Sequence, residues 1–110
     1  MPRVISDKKA VYVEIEKDLD HHYATKIKKG VDLKIKSSAC KNVIFDFTMV
    51  DFMDSSGIGL IMGRYKMTKI LGGKVFIFGL KKTADRIIKM SGIDKLVEVC
   101  DSFDEAIKKL

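Results

Sequence analysis

Val11, Val13 and Ile15 alternate with more polar neighbours across residues 10–16, the period-two pattern of a strand with one buried face. Val4-Ile5 predicts a short edge strand ahead of it. The period then changes. Ala24, Ile27, Val31 and Ile35 recur at three- and four-residue intervals, which predicts a helix that follows Asp20 and runs to about Ser37. Residues 42–47 are almost continuously apolar and predict a strand buried on both faces, as in a parallel sheet. A second helix is predicted from about Ser56 to Leu71, where Gly72-Gly73 stops it. Its apolar positions Ile58, Ile61, Met62 and Tyr65 read as the core stripe, which leaves Leu60, Arg64 and Lys66 off it. Residues 74–78 predict another buried strand, 83–90 a third helix, 96–99 a short strand, and 103–109 a last helix. Ser102 and Glu105 carry the spacing of a capping box for that last helix.

Strands alternating with helices over short connections specify an α/β fold, with a mixed, mostly parallel sheet of four to five strands and about four helices. The order of strands in the sheet does not follow from the pattern. At 110 residues the chain is expected to form one domain, 1–110.

Composition narrows the classes. Hydrophobic residues make up 46% and charged residues 33%, the balance of a globular protein. No apolar run approaches the roughly 20 residues of a membrane span, and residues 1–7 lack a signal-peptide core, so a cytoplasmic protein with no membrane association is expected. Cys40 and Cys100 are far apart and read as two buried thiols. The net charge is +6 at pH 7, but the lysines are dispersed, and no arginine-rich or aromatic–basic segment appears. That distribution favours a solvated, partner-steering surface over direct nucleic-acid binding.

The chemistry concentrates at Met53-Asp54-Ser55-Ser56-Gly57. Aspartate, serine and glycine suit a helix start, where unpaired N–H groups and the positive end of the helix dipole face outward. A phosphate carried on a serine there is electrostatically favoured. A simple cap is the plainer use of the same residues, and the local pattern does not choose between Ser55 and Ser56. Gly57, Gly59 and Gly63 lack the Gly-Lys-Ser/Thr continuation of a phosphate-binding loop. Gly59 and Gly63 share a helical face and predict close packing against a strand or a partner. His21-His22 point in different directions on a helix and make a poor metal-chelating pair. No Gly-x-Ser-x-Gly elbow supports a Ser/His hydrolase.

The block Phe52-Met53-Asp54-Ser55-Ser56-Gly57-Ile58-Gly59, followed by Gly63-Arg64-Tyr65-Lys66, resembles the signature of the anti-sigma factor antagonists of the STAS domain family. Within that family the likeness is closest to the sporulation antagonists of the anti-sigma F factor. Leu19-Asp20-His21-His22, Gly72-Gly73 and Met90-Ser91-Gly92 resemble further family blocks. The chain departs from the family where Lys17-Asp18 replaces the usual Gly-Glu ahead of Leu19, so a turn glycine is missing. The resemblance implies a switch. The unphosphorylated antagonist binds an anti-sigma factor that is also a serine kinase, and so frees a sigma factor. That kinase, with its own ATP and magnesium, phosphorylates Ser55, and binding ends. A PP2C-type phosphatase reverses the step. The antagonist is not an enzyme and holds no cofactor or metal. Asp20, Asp46, Asp54, Ser56, Gly57, Leu60 and Arg64 are the expected partner-binding residues. Of these, Asp20 and Asp46 are expected to share the Ser55 patch, and Leu60 beside Arg64 to be exposed. A STAS module that senses a nucleotide or small ligand is the alternative.

Overall fold

A computed structural model describes residues 3–110. Five strands, β1 (Arg3–Ser6), β2 (Val11–Glu14), β3 (Val43–Asp46), β4 (Val75–Phe78) and β5 (Glu98–Cys100), form one sheet in the order of the chain. β1 pairs antiparallel with β2, and every later neighbour is parallel. The helices α1 (His21–Ser38), α2 (Ser55–Leu71) and α3 (Lys82–Ser91) connect β2 to β3, β3 to β4 and β4 to β5, and α4 (Phe103–Lys108) follows β5. A single 3-10 turn, Ile93–Lys95, lies between α3 and β5.

The strand order explains the layers. Parallel strands added one after another, with crossovers of one hand, stack every connecting helix on the same face. Val11, Val13, Val43, Phe45, Val75 and Ile77 point to that face and meet Ile27, Val31, Leu60, Ile61, Ala84 and Ile88 from the three helices. The alternate residues Ile44, Phe76, Phe78 and Cys100 point the other way, where only α4 covers them, through Ala106. β3 and β4 are therefore apolar at nearly every position, because both their faces are covered.

Glycines are required where the backbone comes close. A Cβ on Gly73 would sit 1.8 Å from the Lys41 carbonyl oxygen, so no other residue fits the turn after α2. Gly72, at φ 81°, ends that helix with its N–H on the carbonyls of Thr68 and Lys69.

The predicted elements agree with these bounds to within one or two residues, apart from the 3-10 turn. One detail of the last cap differs. Ser102 accepts from the Glu105 N–H at 3.2 Å, but the Glu105 carboxylate reaches back to the N–H of Asp101 at 2.9 Å, one residue beyond the capping-box partner.

The stripe of α2 also differs. Its buried residues are Gly57, Leu60, Ile61, Arg64 and Thr68, while Ile58, Met62 and Tyr65 pack at its margin, half-buried. The helix is turned by about one residue from the expected setting. Leu60 and Arg64, expected to be exposed, are 4% and 5% exposed. Arg64 meets Asp32 of α1 there. The Asp32 Oδ1 lies 3.1 Å from Arg64 Nε, so a charge that belongs at the surface has a partner in the interhelical seam. Burial still pushes the Arg64 pKa down, and Asp32 opposes that shift.

Candidate functional site

The segment between β3 and α2 is built on a three-residue rhythm. Phe47, Val50 and Met53 are fully buried and anchor it. Met49 and Phe52, out of phase with those anchors, are 53% and 57% exposed beside the start of α2. The segment is stitched to the one that precedes α1. Leu19 and Met53 form a parallel bridge, with the Leu19 N–H donating to the Phe52 carbonyl and the Asp54 N–H to the Leu19 carbonyl, both at 3.1 Å. This brings two helix starts side by side.

Each start has its own carboxylate cap. Asp20 accepts from the Tyr23 N–H and Asp54 from the Ser56 N–H, both at 2.8 Å. The structure therefore brings Asp20 and Asp54 together. Ser55, the first residue of α2, is exposed, and Ser56 is half-buried behind it. Because Asp54 supplies the cap, the Ser55 hydroxyl stands at a helix N-terminus without a structural duty of its own. Gly57 is buried, and a Cβ there would meet Met53 Sδ at 2.8 Å and Leu19 Cδ2 at 3.0 Å. The glycine lets α2 begin directly on the Leu19–Met53 bridge.

Asp46 does not join this patch. It ends β3 with its side chain on the opposite sheet face, and its Oδ1 accepts from the Thr48 N–H at 2.8 Å and hydroxyl at 2.7 Å. The reason is the pleat: Phe45 faces the three helices, so Asp46 must face away. For Gly59 and Gly63 the structure leaves only the partner half of the expectation. Nothing lies within 4 Å of a Cβ at either, so they do not pack closely on a strand. Together with His21, Thr25, Lys28 and Ser56 they border an open groove between α1 and α2.

Two features of the site were not read from the sequence. Asp18 Oδ1 accepts from the N–H groups of both Asp51 and Phe52 at 3.0 Å, which ties the exposed loop down from the other side. Asp51 in turn pairs with Lys81 at 2.8 Å, ahead of α3. The loop that lacks the family's glycine is held by Tyr23 instead. Its hydroxyl accepts from the Glu16 N–H at 2.8 Å, and Lys17 Nζ lies 4.9 Å from its ring centre. Burial raises the pKa of Tyr23. Among the described residues, no cluster of His, Cys, Asp or Glu has metal-binding geometry, and no helix is long and apolar enough to cross a membrane.

Residues 2–106 match the STAS domain family. The chain belongs to that family. The anti-sigma F factor antagonist of Paenibacillus polymyxa is 31% identical over 98 residues, covering 89% of this chain and 84% of the relative. Among solved structures, the anti-sigma factor antagonist SpoIIAA in its unphosphorylated form superposes with a TM-score of 0.86 at 24% identity, covering 99% of this chain and 95% of that one. The Bacillus cell fate determinant SpoIIAA in its phosphorylated form superposes with a TM-score of 0.77 at 24% identity, covering 99% and 98%. These two matches establish the STAS fold of this chain.

Proposed function

We propose that this STAS domain is an anti-anti-sigma factor whose binding is switched by phosphorylation of Ser55. In its plain form it docks on an anti-sigma factor that is also a serine kinase, and the sigma factor is released. The kinase, with ATP and magnesium, transfers a phosphoryl group to Ser55. The hydroxyl oxygen gains the bond to phosphorus, the bond from phosphorus to the ADP oxygen breaks, and the hydroxyl proton is lost. A PP2C-type phosphatase hydrolyses the ester and restores the plain form. The names of the matched relatives support the partner class.

The observation that carries the reading is the division of labour between Asp54 and Ser55: the aspartate caps α2 and leaves an exposed hydroxyl on its first residue. A phosphate adds about −1.5 to −2 charge at pH 7. Within the domain, the α2 N-terminus offsets it. Toward a partner it does not, because Asp20 and Asp54 already stand at the two adjoining helix starts and the added charge opposes docking. The switch works at the surface, with no refolding. Met49 and Phe52 supply the apolar contact, and the α1–α2 groove beside Ser56 supplies the shape.

The test is incubation with the cognate anti-sigma kinase and Mg-ATP, read by intact mass and peptide mapping. One phosphate on Ser55, absent in Ser55→Ala, is expected, together with loss of the complex on native gels. A phosphate mapped to Ser56, or a phosphorylated form that stays bound, would overturn the reading.

A further inference from the structure

The sheet has two unequal faces. α4 covers the second face over β4 and β5, Ile44 of β3 is buried with them, and the part over β1, β2 and the Asp46 end of β3 is open. A cleft of about 400 Å3 lies there. Strand register sets its contents. Ile5, Tyr12 and Ile44 are partners across three neighbouring strands, and Arg3, Glu14, Asp46 and Phe78 form the next row. Phe103 of α4 makes the wall, its ring centre 5.9 Å from that of Tyr12 and 5.8 Å from that of Phe78. The lining is thus aliphatic and aromatic along most of its length.

The charges in it are uneven. Glu14 and Asp46 stand directly opposite each other on adjacent strands, both half-buried. Like charges on neighbouring strands repel. Neither carboxylate forms an ion pair among the described residues, and Arg3, the register partner of Glu14, does not reach it. Asp7, at the other end, accepts from the Tyr12 hydroxyl at 2.8 Å. A chain of net charge +6 therefore carries, on one apolar face, a pocket with an excess of carboxylates.

We propose that this cleft binds a small amphipathic organic cation, an ammonium or guanidinium group on an aromatic or alkyl body. The cation lies between Glu14 and Asp46 and relieves their repulsion, within reach of the ring faces of Phe78 and Phe103. The apolar body covers Ile5 and Tyr12 against Phe103. Charge complementarity selects the occupant: anions, nucleotides included, meet two carboxylates, and neutral apolar molecules leave the carboxylates facing each other. The size falls within the roughly 300–1,000 Å3 of small-ligand pockets. The site is on the sheet face away from α1 and α2 and is independent of the Ser55 switch.

The experiment is an NMR titration of the full chain with phenethylamine and with agmatine at constant ionic strength. Phenethyl alcohol and phenylacetate serve as neutral and anionic controls. Saturable shifts at Ile5, Ile44 and Phe103 are expected, with a dissociation constant of about 1 mM or tighter, the range of a small, partly exposed ligand. Glu14→Gln, a substitution of equal size, is expected to weaken phenethylamine at least about fivefold, with no change at the start of α2. No saturable shift with either amine, equal binding of the alcohol, or unchanged affinity in Glu14→Gln would overturn the proposal. Binding of a basic peptide where both amines fail would also overturn it, and would assign the cleft to a protein partner.

Discussion

Asp18 stands just ahead of the Leu19–Asp20 pair, and one of its oxygens holds two consecutive N–H groups of the loop that presents Ser55. Hydrogen bonds to a charged acceptor are worth about 1.5–3 kcal/mol where they are buried, and less where water replaces them. Asp18→Ala is therefore expected to lower stability by about 1–1.5 kcal/mol in urea unfolding. It should also slow Ser55 phosphorylation more than the stability loss explains, because Met49 and Phe52 lose their fixed place. Asp18→Asn, which keeps an acceptor oxygen, should recover about half of both effects. An Asp18→Ala protein phosphorylated at the native rate would show that the loop needs no tether. The sequence contained this acid, but as a departure from a motif, and motif reading recovers only what the family shares. Asp54, Ser55 and Gly57 were legible because capping chemistry is local. Asp18 was not, because its partners lie 33 and 34 residues away.

At the scale of an element, α2 combines a helix that is apolar on several sides with two glycines facing an open groove. Glycine inside a helix costs about 0.5–1 kcal/mol relative to alanine. Gly59→Ala and Gly63→Ala meet no neighbouring atom and are expected to stabilise the domain by about that amount each, read as a higher urea midpoint. If the groove receives the kinase, the doubly substituted protein should bind it more weakly despite its greater stability. Higher stability with undiminished binding would place the docking surface elsewhere. The same helix shows where pattern reading stops. Ile58, Ile61, Met62 and Tyr65 gave a self-consistent stripe, but a helix with apolar residues on most sides fits several rotations. The observed rotation sets Arg64 against Asp32 and Gly57 against Leu19 and Met53, partners that lie outside α2. Strand faces were easier: once Val11, Val13 and Ile15 pointed inward, alternation fixed Tyr12 and Glu14 outward. Asp46 was misplaced because position along a strand gave its end of the sheet but not its side.

Across the whole molecule, titration should bracket the stability curve. Burial, and then the hydrogen bond to Asp7, push Tyr12 up to about 12, and burial raises Tyr23. A tyrosine whose folded pKa lies above its unfolded value of about 10 stabilises the fold fully below that value. The contribution is lost as pH rises through the folded value. The urea midpoint is thus expected to fall between about pH 10 and 12, and Tyr12→Phe to make that fall shallower. At the acid end the sign reverses. The Tyr12 hydroxyl holds Asp7 below the usual carboxylate range, and the Asp101 N–H does the same for Glu105. Their stabilisation is present above the ordinary carboxylate pKa and lost as pH falls through the depressed values. An alkaline limb as steep in Tyr12→Phe as in the parent would remove Tyr12 from this account.

Sequence neighbours are sheet neighbours throughout this domain: no strand skips over another to find its partner. Each pairing therefore closes a loop no longer than one crossover, and short closures are the cheap and fast ones. For a chain made from its N-terminus, the β1–β2 ribbon is complete while the rest is still being synthesised. For every later strand, the sheet partner is then the strand made just before it. The order of synthesis thus runs one way across the sheet, and α4, made last, covers the last two strands.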